Sequence, residues 1–283
     1  MDQHPGHYHL YTEMQRKSAA PPRLTYRHPE PDGQYASFNI LPCAHSPMFR
    51  AGQELLKDRP AIMLGISPGN GFFTRQHIEI ALCAFAHLLH DVTVVIPDVI
   101  AVHTFLAMGY TEKQSLEKAR HNGRNLRNRC QHAFEKAQAS FPDARLQWPD
   151  WERDISVLPG YEENYAQLTD LFECNASFRQ EILRLGESVL ASKSGDRIIT
   201  EPAAREASQY LLKELAYLMM SRRVFGRDLV IAYHQDFYLL DLLLEYGFTE
   251  QLAGVGAIRY TIELPEAPPA LALPESGLIS NRA

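Results

Sequence analysis

The hydrophobic and polar positions along the chain predict strands and helices that alternate. Two short, predominantly apolar runs at 61–66 and 91–97 have the composition of strands that are buried on both faces. Between them, apolar residues recur at helical spacing from Thr74 to Leu89, after turn-forming residues at 67–71. This succession of strand, turn, helix and strand is a βαβ unit, which favours a right-handed crossover between parallel strands.

The same alternation continues through the rest of the chain. We predict a helix that is closed by Gly109 and a long helix from Thr111 to Ser140. Thr200 is the predicted N-cap of a later helix, with Pro202 in its first turn. The further predicted elements are helices over 168–190, 202–221 and 237–246 and strands over 228–233 and 257–262. The predicted fold class is α/β, as one domain over 36–264 with a mostly parallel sheet.

Both ends of the chain differ in composition from the predicted domain. Residues 1–35 are rich in His, Pro and polar side chains, and we expect a flexible N-terminal extension there. Residues 265–283 read as an irregular, Pro-rich tail. The N-terminus lacks the apolar segment of a signal peptide, and no apolar run approaches the roughly 18 residues that span a bilayer. The four cysteines form no C-x-x-C pair, so we expect a cytoplasmic protein without a structural zinc site.

The charge distribution contains one basic segment. The 283-residue chain has a net charge of -6, which argues against a protein that is basic overall but leaves room for a local basic patch. Residues 118–129 of the long predicted helix contain no acidic residue, and the helical spacing places Arg120, Arg124 and Arg127 on one face. This pattern fits a phosphate backbone as partner, and it fits a merely soluble surface equally well.

Ser67 lies in a motif that is typical of a catalytic serine. Gly65 to Gly69 fits G-x-S-x-G, the nucleophile elbow of serine hydrolases. In that elbow the residue after the serine donates its backbone N–H to the oxyanion, but here that residue is Pro68, which has no N–H. A Ser-Asp-His set could be formed with Asp236 or Asp241 and His234, but His234 then precedes the aspartate, so the order Ser, Asp, His of the hydrolases fails. A serine hydrolase therefore remains only an alternative.

A second group of polar residues is predicted to lie near Ser67. Ser67 and Tyr233 both follow predicted strands, and the carboxyl ends of parallel strands meet at one edge of a sheet. Tyr210, Glu214 and Tyr217 share one face of a predicted helix, at the border of its apolar face. A glutamate in that position can recognise an ammonium group, or accept a proton if burial raises its pKa. The alternative is an amphipathic helix with a solvated glutamate.

Two short patterns resemble parts of class I aminoacyl-tRNA synthetases. Residues 4–7 fit their H-x-G-H motif, and Lys193 lies in a Ser-Lys-Ser triplet similar to their later lysine-containing loop. In those enzymes H-x-G-H opens a helix after the first strand, whereas here it lies in a polar segment rich in His. We therefore expect no ATP-dependent activation.

Taken in series, the motifs resemble those of the tRNA-dependent cyclodipeptide synthases. The resemblance extends from Met63 to beyond Asp236, and Asn70, Tyr233 and His234 are similar to the residues that name the Asn-Tyr-His branch of that family. The motifs are G-I-S-P-G-N at 65–70, the basic helix, Tyr-x-x-x-Glu at 210–214 and Tyr-His at 233–234. The resemblance implies a Rossmann-like domain similar to the catalytic domain of class I tyrosyl- and tryptophanyl-tRNA synthetases.

The resemblance also implies an aminoacyltransferase that needs no metal and no cofactor. Ser67 would take the aminoacyl group of a first aminoacyl-tRNA as a covalent ester. A second aminoacyl-tRNA would convert this ester to a dipeptidyl-enzyme, and ring closure would release a diketopiperazine. Tyr210 and Glu214 would hold the amino group, and Tyr233 would assist proton transfer. Asn70 and His234 would support the site.

The resemblance assigns substrate-binding residues as well. The first aminoacyl pocket would be lined by Met63, Gly65, Val95, Tyr217 and Ile231. The tRNA phosphates would be bound by Lys118, Arg120, Arg124, Arg127 and Arg129. The expected partners are two aminoacyl-tRNAs per product, with no DNA and no membrane, and the chain would be a monomer or homodimer. A non-catalytic RNA-binding protein that uses only the basic helix is the other alternative.

Overall fold

The chain folds around a single curled sheet. A computed structural model of the protein describes residues 24–30, 34–41, 45–194, 198–236 and 238–265. Within these ranges the sheet has seven strands in the order β1-β2-β7-β6-β3-β4-β5. The strands are β1 Thr25–Pro29, β2 Tyr35–Leu41, β3 Ala61–Gly65, β4 Asp91–Val95, β5 Arg145–Gln147, β6 Leu229–Tyr233 and β7 Val255–Glu263.

Helices cover both faces of this sheet. They are α1 Pro47–Leu55, α2 Arg75–Leu89, α3 Val102–Ala107, α4 Glu112–Ser140, α5 Tyr161–Cys174, α6 Ala176–Ser194, α7 Glu201–Leu218, α8 Ser221–Phe225 and α9 Leu239–Glu245. Several begin at the caps that the sequence favours: Thr74 accepts a hydrogen bond from His77 N, and Thr111 forms a capping box with Gln114 at the start of α4. None of the helices in the described ranges has both the length and the apolar character needed to cross a bilayer.

The parallel part of the sheet contains the predicted βαβ unit. β3 pairs in parallel with β4 and β6, β4 with β5, and β6 with β7, whereas β1 and β2 are antiparallel additions at the β7 edge. α2 connects β3 to β4. The predicted mixed α/β class with a mostly parallel sheet and flanking helices is confirmed.

Alternate residues of the central strands face two separate cores. In β3, Ile62 and Leu64 pack into the core formed with α2 and α4. Met63 packs into the other core, which contains the buried faces of α5, α6, α7 and α9. This alternation follows from the period of two along a strand. As a result, Met63, Val95 and Ile231 all point to the side of the sheet that carries α7.

The N-terminal boundary of the folded region differs from the sequence prediction. Residues 25–29, inside the predicted extension 1–35, form β1, which pairs antiparallel with β2. The strand is held by His28, which is 3% exposed and hydrogen-bonds to Glu79 at 3.2 Å. A buried histidine in a polar segment gives no apolar pattern along the chain. Most of the predicted extension, with the H-x-G-H pattern, and nearly all of the predicted tail lie outside the described residues, at 1–23 and 266–283.

One predicted helix is wrong, and one predicted N-cap is correct in position but lacks a hydrogen bond. The single helix predicted over 168–190 is two helices, α5 and α6, because the chain turns at Asn175, whose side chain accepts a hydrogen bond from Phe178 N at 3.0 Å. Thr200 stands at the N-cap position of α7 with extended backbone angles, but its side chain makes no capping hydrogen bond.

Candidate active site

Ser67 opens a tight turn directly beyond the end of β3. Asn70 N donates to Ser67 O at 3.3 Å, and Gly69 has φ of 78°. Proline at the second position and a positive-φ glycine at the third define a type II turn. Pro68 therefore has a clear structural purpose: it presets the turn that presents the Ser67 side chain. The same proline leaves the residue after Ser67 without a backbone donor.

Tyr233 lies at the end of β6 and reaches Ser67. β3 and β6 are parallel neighbours, with Leu64 opposite Ala232, so their carboxyl ends adjoin. Ser67 Oγ and the Tyr233 hydroxyl are hydrogen-bonded at 3.0 Å. Burial raises the pKa of Tyr233, while its hydrogen bonds to Ser67 and Asn70 act in the opposite direction. The expectation that the two strand ends share one site agrees with this geometry.

Asn70 connects Tyr233 to His234. Its Nδ2 donates to the Tyr233 hydroxyl at 3.3 Å and lies 2.9 Å from His234 Nε2, while its Oδ1 accepts from Phe72 N at 2.9 Å. With Oδ1 fixed by the backbone, the amide nitrogen is the donor, and His234 Nε2 is the acceptor. The imidazole stacks on Phe72 with ring centroids 3.9 Å apart. Burial, together with His77, lowers the pKa of His234 to about 4.

Helix α7 supplies the residues predicted at its border. Tyr210 is 8% exposed, and burial raises its pKa, opposed only by its hydrogen bond to Ser67. Burial raises the pKa of Glu214 to about 7. Tyr217 is 1% exposed and packs edge-on against Trp151, with ring centroids 5.7 Å apart. Glu214 therefore does not lie on a solvated face, which was the alternative from sequence.

These residues line one large cavity between the sheet and the helices on the α7 side. Its volume is about 930 Å³. Ser67, Tyr210, Glu214 and Tyr233 contribute to its wall, as do all five residues assigned to the first aminoacyl pocket: Met63, Gly65, Val95, Tyr217 and Ile231. Asn70 and His234 lie behind Tyr233 and are not part of the wall. The wall combines apolar side chains, such as those of Met63, Val95 and Ile231, with many polar ones, and a cavity of this size suits a small-molecule group.

The surroundings of Ser67 differ from those of a hydrolase serine. Within the described part of the chain, Ser67 Oγ hydrogen-bonds to the hydroxyl of a tyrosine, Tyr233, and burial raises the pKa of Tyr210, an effect that Ser67 opposes. No histidine there contacts Ser67 Oγ, so the arrangement lacks the base of a Ser-His-Asp triad. The described residues also bring together no group of three or more His, Cys, Asp or Glu side chains that could hold a metal ion.

The basic residues of α4 are more heavily paired than the sequence indicates. Arg127 is bonded to Asp98, which is 2% exposed, and lies 3.3 Å from Asp150. Arg120 lies 3.6 Å from Glu152. The segment 118–129 contains no acid, yet acids from other segments reach it. Arg127 thus neutralises a buried carboxylate, so its charge is not freely available to a phosphate.

The remaining cations of this helix have different surroundings. Arg124 is exposed and has no ion pair among the described residues. Lys118 lies over the Tyr110 ring, 4.4 Å from its centroid. Arg129 donates to Phe73 O at 3.0 Å, at the end of the loop that Ser67 begins. The five predicted tRNA-binding residues therefore do not form a single face.

Several residues at the site were not predicted from sequence. Lys193 Nζ donates to Pro68 O at 3.4 Å. Asp241 lines the cavity, accepts from Met48 N at 3.1 Å and leaves its second carboxylate oxygen buried without a partner among the described residues. Further carboxylates in the cavity wall are Glu181, Asp236 and Glu245. The Ser-Lys-Ser triplet was the one sequence signal near Lys193, and isolated acids on amphipathic helices give none.

Solved structures confirm the fold. A crystal structure of a cyclodipeptide synthase from Bacillus thermoamylovorans matches with a TM-score of 0.68 and 21% identity over 81% of this chain and 97% of that one. A Mycobacterium tuberculosis protein, whose structure is described as demonstrating that cyclodipeptide synthetases are related to type I tRNA synthetases, matches with a TM-score of 0.64 and 18% identity over 87% and 98%. The likeness at these identities is one of fold.

A third structure contains RNA. It is a cyclodipeptide synthase from Candidatus Glomeribacter gigasporarum bound to Phe-tRNAPhe, with a TM-score of 0.54 and 15% identity over 76% of this chain and 93% of that one. A search of curated proteins found no match. The family model for cyclodipeptide synthases matches residues 44–253, well over half of the chain and the whole of the site. The chain belongs to the cyclodipeptide synthase family, whose members are aminoacyl-transferring enzymes.

Proposed function

We propose that the protein joins two aminoacyl groups, taken from two aminoacyl-tRNAs, through a covalent ester on Ser67. The observation that carries the proposal is the contact of Ser67 with Tyr233, at 3.0 Å, on the wall of a cavity that also contains Glu214. A serine that is bonded to a tyrosine and shares a cavity wall with a carboxylate able to bind an amine suits an acyl acceptor for an already activated ester. The relative that is solved with Phe-tRNAPhe supports an aminoacyl-tRNA as the substrate.

In the first step Ser67 Oγ attacks the ester carbonyl of a first aminoacyl-tRNA. The Oγ–C bond forms, the bond between the carbonyl carbon and the ribose oxygen breaks, and the serine proton passes through the Tyr233 hydroxyl to that oxygen. Tyr210 and Glu214 hold the α-ammonium group of the bound aminoacyl moiety. Its side chain lies in the pocket formed by Met63, Gly65, Val95, Tyr217 and Ile231.

In the second step the α-amine of the aminoacyl-Ser67 ester becomes the nucleophile. Glu214, with a pKa near 7, accepts a proton from the ammonium group, and the free amine attacks the ester carbonyl of a second aminoacyl-tRNA. The tRNA leaves with its 3′ oxygen protonated, and the dipeptide remains on Ser67. Its new terminal amine then attacks the Ser67 ester, which closes the diketopiperazine ring and releases the serine hydroxyl.

We place the protein in the Asn-Tyr-His branch of the family. Asn70 hydrogen-bonds to both Tyr233 and His234, so the three residues that name the branch act as one unit here. Their role is to position Tyr233 against Ser67. We also propose that the chain works in the cytoplasm, where aminoacyl-tRNAs are made, as a single catalytic domain.

Residues of α4 provide the tRNA-binding surface in this proposal. Arg124, which is exposed and unpaired among the described residues, has the charge most available to a phosphate, followed by Lys118 and Arg129. Arg120 and Arg127 contribute less because Glu152, Asp98 and Asp150 compensate their charges.

Covalent trapping tests the proposed function. The protein is incubated without ATP with tRNA charged with a mixture of radiolabelled amino acids, quenched in acid and digested for mass spectrometry. We expect label on the Ser67 peptide, none in Ser67→Ala, and diketopiperazines in the supernatant. A protein that binds charged tRNA without labelling or product would instead be the non-catalytic RNA-binding protein. Release of free amino acids alone would identify a hydrolase.

A further inference from the structure

Lys193 rests directly against the turn that carries Ser67. It lies in the last turn of α6, and its Nζ donates to Pro68 O at 3.4 Å across a separation of 125 residues. A Cβ atom added to Gly69 would lie 3.3 Å from the same Nζ. The ammonium group therefore lies beside the central peptide of the type II turn, next to the nucleophile.

The charge of Lys193 is not compensated by the described residues around it. Among them no carboxylate forms an ion pair with Lys193. Loss of solvent where the ammonium group meets the turn lowers the pKa of Lys193, and none of the described carboxylates opposes this effect. An ammonium group has three donors, and Pro68 O uses one of them. A cation that lies beside the proposed reacting serine and has no carboxylate partner among the described residues favours an anionic ligand.

The surroundings of the loop 67–73 are electrostatically asymmetric. Lys193 donates to Pro68 O near one end of the loop, and Arg129 donates to Phe73 O at the other. Of the five carboxylates in the cavity wall, Glu181 and Asp236 pair with Arg184 and Arg259, whereas Glu214, Asp241 and Glu245 have no ion-pair partner in the described part of the chain. A phosphodiester is therefore attracted to the cations at the loop and repelled from the unpaired carboxylates of the cavity wall.

We propose that Lys193 binds the phosphate nearest to the reacting ester, the 5′-phosphate of the 3′-terminal adenosine of aminoacyl-tRNA. The inference rests on the proposed function, because it needs an ester on that adenosine to lie at Ser67. The ester joins the 3′ side of the terminal ribose, so the next anion along the chain is the phosphate on the 5′ side of the same nucleotide. Lys193 thus anchors the last nucleotide of the tRNA, while α4 binds farther up the acceptor strand.

Two fragments of the same charged tRNA differ only in the presence of this phosphate. Ribonuclease A cleaves after the preceding cytidine and releases 3′-aminoacyl-adenosine with a free 5′-hydroxyl. Nuclease P1 releases the same aminoacyl nucleoside with its 5′-phosphate. We expect the wild-type protein to acylate Ser67 from the phosphorylated fragment about tenfold more efficiently, since a hydrogen bond to a charged group contributes roughly 1.5–3 kcal/mol.

The variants separate phosphate binding from a structural role. In Lys193→Gln the preference for the phosphorylated fragment should fall to near one, while use of the phosphate-free fragment stays at the wild-type level. Lys193→Arg should keep much of the preference. Lys57→Gln, at an exposed lysine remote from the cavity, is the matched control and should keep all of it. If Lys193→Gln reduces acylation from both fragments equally, or keeps the preference, Lys193 does not bind the phosphate.

A binding measurement keeps this test independent of the Ser67 chemistry. In a Ser67→Ala background, Lys193→Gln should weaken binding of uncharged bulk tRNA about tenfold and reduce the slope of log affinity against log salt by about one. An unchanged affinity and slope would overturn the assignment of Lys193. If Ser67 is never labelled by intact charged tRNA but this binding effect is found, the covalent mechanism is wrong while the phosphate contact stands.

Discussion

The hydroxyl groups of Ser67 and Tyr233 lie 3.0 Å apart although the two residues are 166 positions apart in sequence. Their contact follows from the parallel pairing of β3 and β6, which brings the carboxyl ends of both strands to the same edge of the sheet. Tyr233 is in turn held by Asn70 from the other end of the Ser67 turn. The proposed nucleophile and its proposed proton partner are thus fixed by adjacent strands and one tight turn.

Replacing Tyr233 with Phe should slow acyl transfer while leaving the fold intact. The substitution removes the hydroxyl that contacts Ser67 and Asn70 but keeps the ring that packs against Phe73 and His234. Since proton transfer by a positioned group contributes on the order of 100-fold or more, we expect a loss of about that size in the rate of Ser67 labelling. Tyr35→Phe, at an exposed position, is the control. Labelling at the wild-type rate would show that Tyr233 has no part in proton transfer.

The efficiency of the first acylation should depend on pH through Glu214. Its pKa of about 7 means that the carboxylate, which pairs with the substrate ammonium, is lost as the pH falls below neutrality. We expect kcat/KM for Ser67 labelling to decrease about tenfold between pH 8 and pH 6. In Glu214→Gln the remaining activity should be low and flat over this range. A variant that keeps the wild-type pH profile would assign the titration to another group.

The same shift predicts how stability changes with pH. Burial raises the pKa of Glu214 to about 7 from its ordinary 4.5, so ionisation of this group opposes folding. With respect to this group, the free energy of unfolding is highest below about pH 4.5 and decreases as the pH rises toward 7 and above. At pH 8 Glu214→Gln should be more stable than the wild type, on the order of 3 kcal/mol, with the advantage vanishing near pH 4. Urea unfolding across this range, with exposed Glu201→Gln as control, measures the difference.

Arg124 and Arg127 should respond differently to replacement by Ala. Arg127→Ala leaves the buried carboxylate of Asp98 without its cation, so we expect the free energy of unfolding to fall by about 2–4 kcal/mol. Arg124→Ala should change stability by less than about 0.5 kcal/mol and instead weaken tRNA binding. Urea unfolding and tRNA filter binding separate the two effects. Equal stability losses in both variants would contradict the structural role of Arg127.

Gly123→Ala should destabilise the protein although it improves the helix propensity of α4. A Cβ at this position would lie 2.5 Å from Asp98 Oδ2 and 2.6 Å from Asp98 Cβ, so α4 or the Asp98 segment must shift. The clash should outweigh the gain of about 1 kcal/mol in helix propensity. Asn128→Ala, on the exposed face of the same helix, gains propensity without a clash. Unfolding experiments should give opposite signs for the two variants, and a more stable Gly123→Ala protein would show that the contact relaxes easily.

Sequence reasoning located the central sheet because buried parallel strands have short apolar runs. It missed β1 because an edge strand of polar composition owes its place to contacts such as His28 with Glu79, 51 residues away. It merged α5 and α6 because a reorientation at Asn175 leaves the apolar spacing on either side unchanged. Such features depend on partners that a linear pattern does not contain.

Residues of the candidate site are also predictable only where they do not depend on distant partners. Ser67, Glu214 and Tyr233 follow from strand ends and helical spacing, since these place side chains without reference to distant partners, whereas Asn70 follows only from the resemblance to the cyclodipeptide synthases. The neutralisation of Arg127 cannot be predicted in this way, because its partner Asp98 lies 29 residues before it in the chain and contacts it only in the folded protein. Gly123, which from sequence only weakens α4, allows that close approach.

The arrangement of Asn70 and His234 bears on how the acyl-enzyme survives in water. The pKa of His234 is about 4 and its Nε2 accepts a hydrogen bond from Asn70, so the imidazole is uncharged at neutral pH and this nitrogen is already occupied. It cannot remove a proton from water near Ser67. His234 therefore does not supply the base that hydrolysis of the proposed ester on Ser67 would need, and this favours survival of the ester until the second aminoacyl-tRNA binds. An uncharged imidazole that is already hydrogen-bonded thus favours transfer of the aminoacyl group over its loss to water.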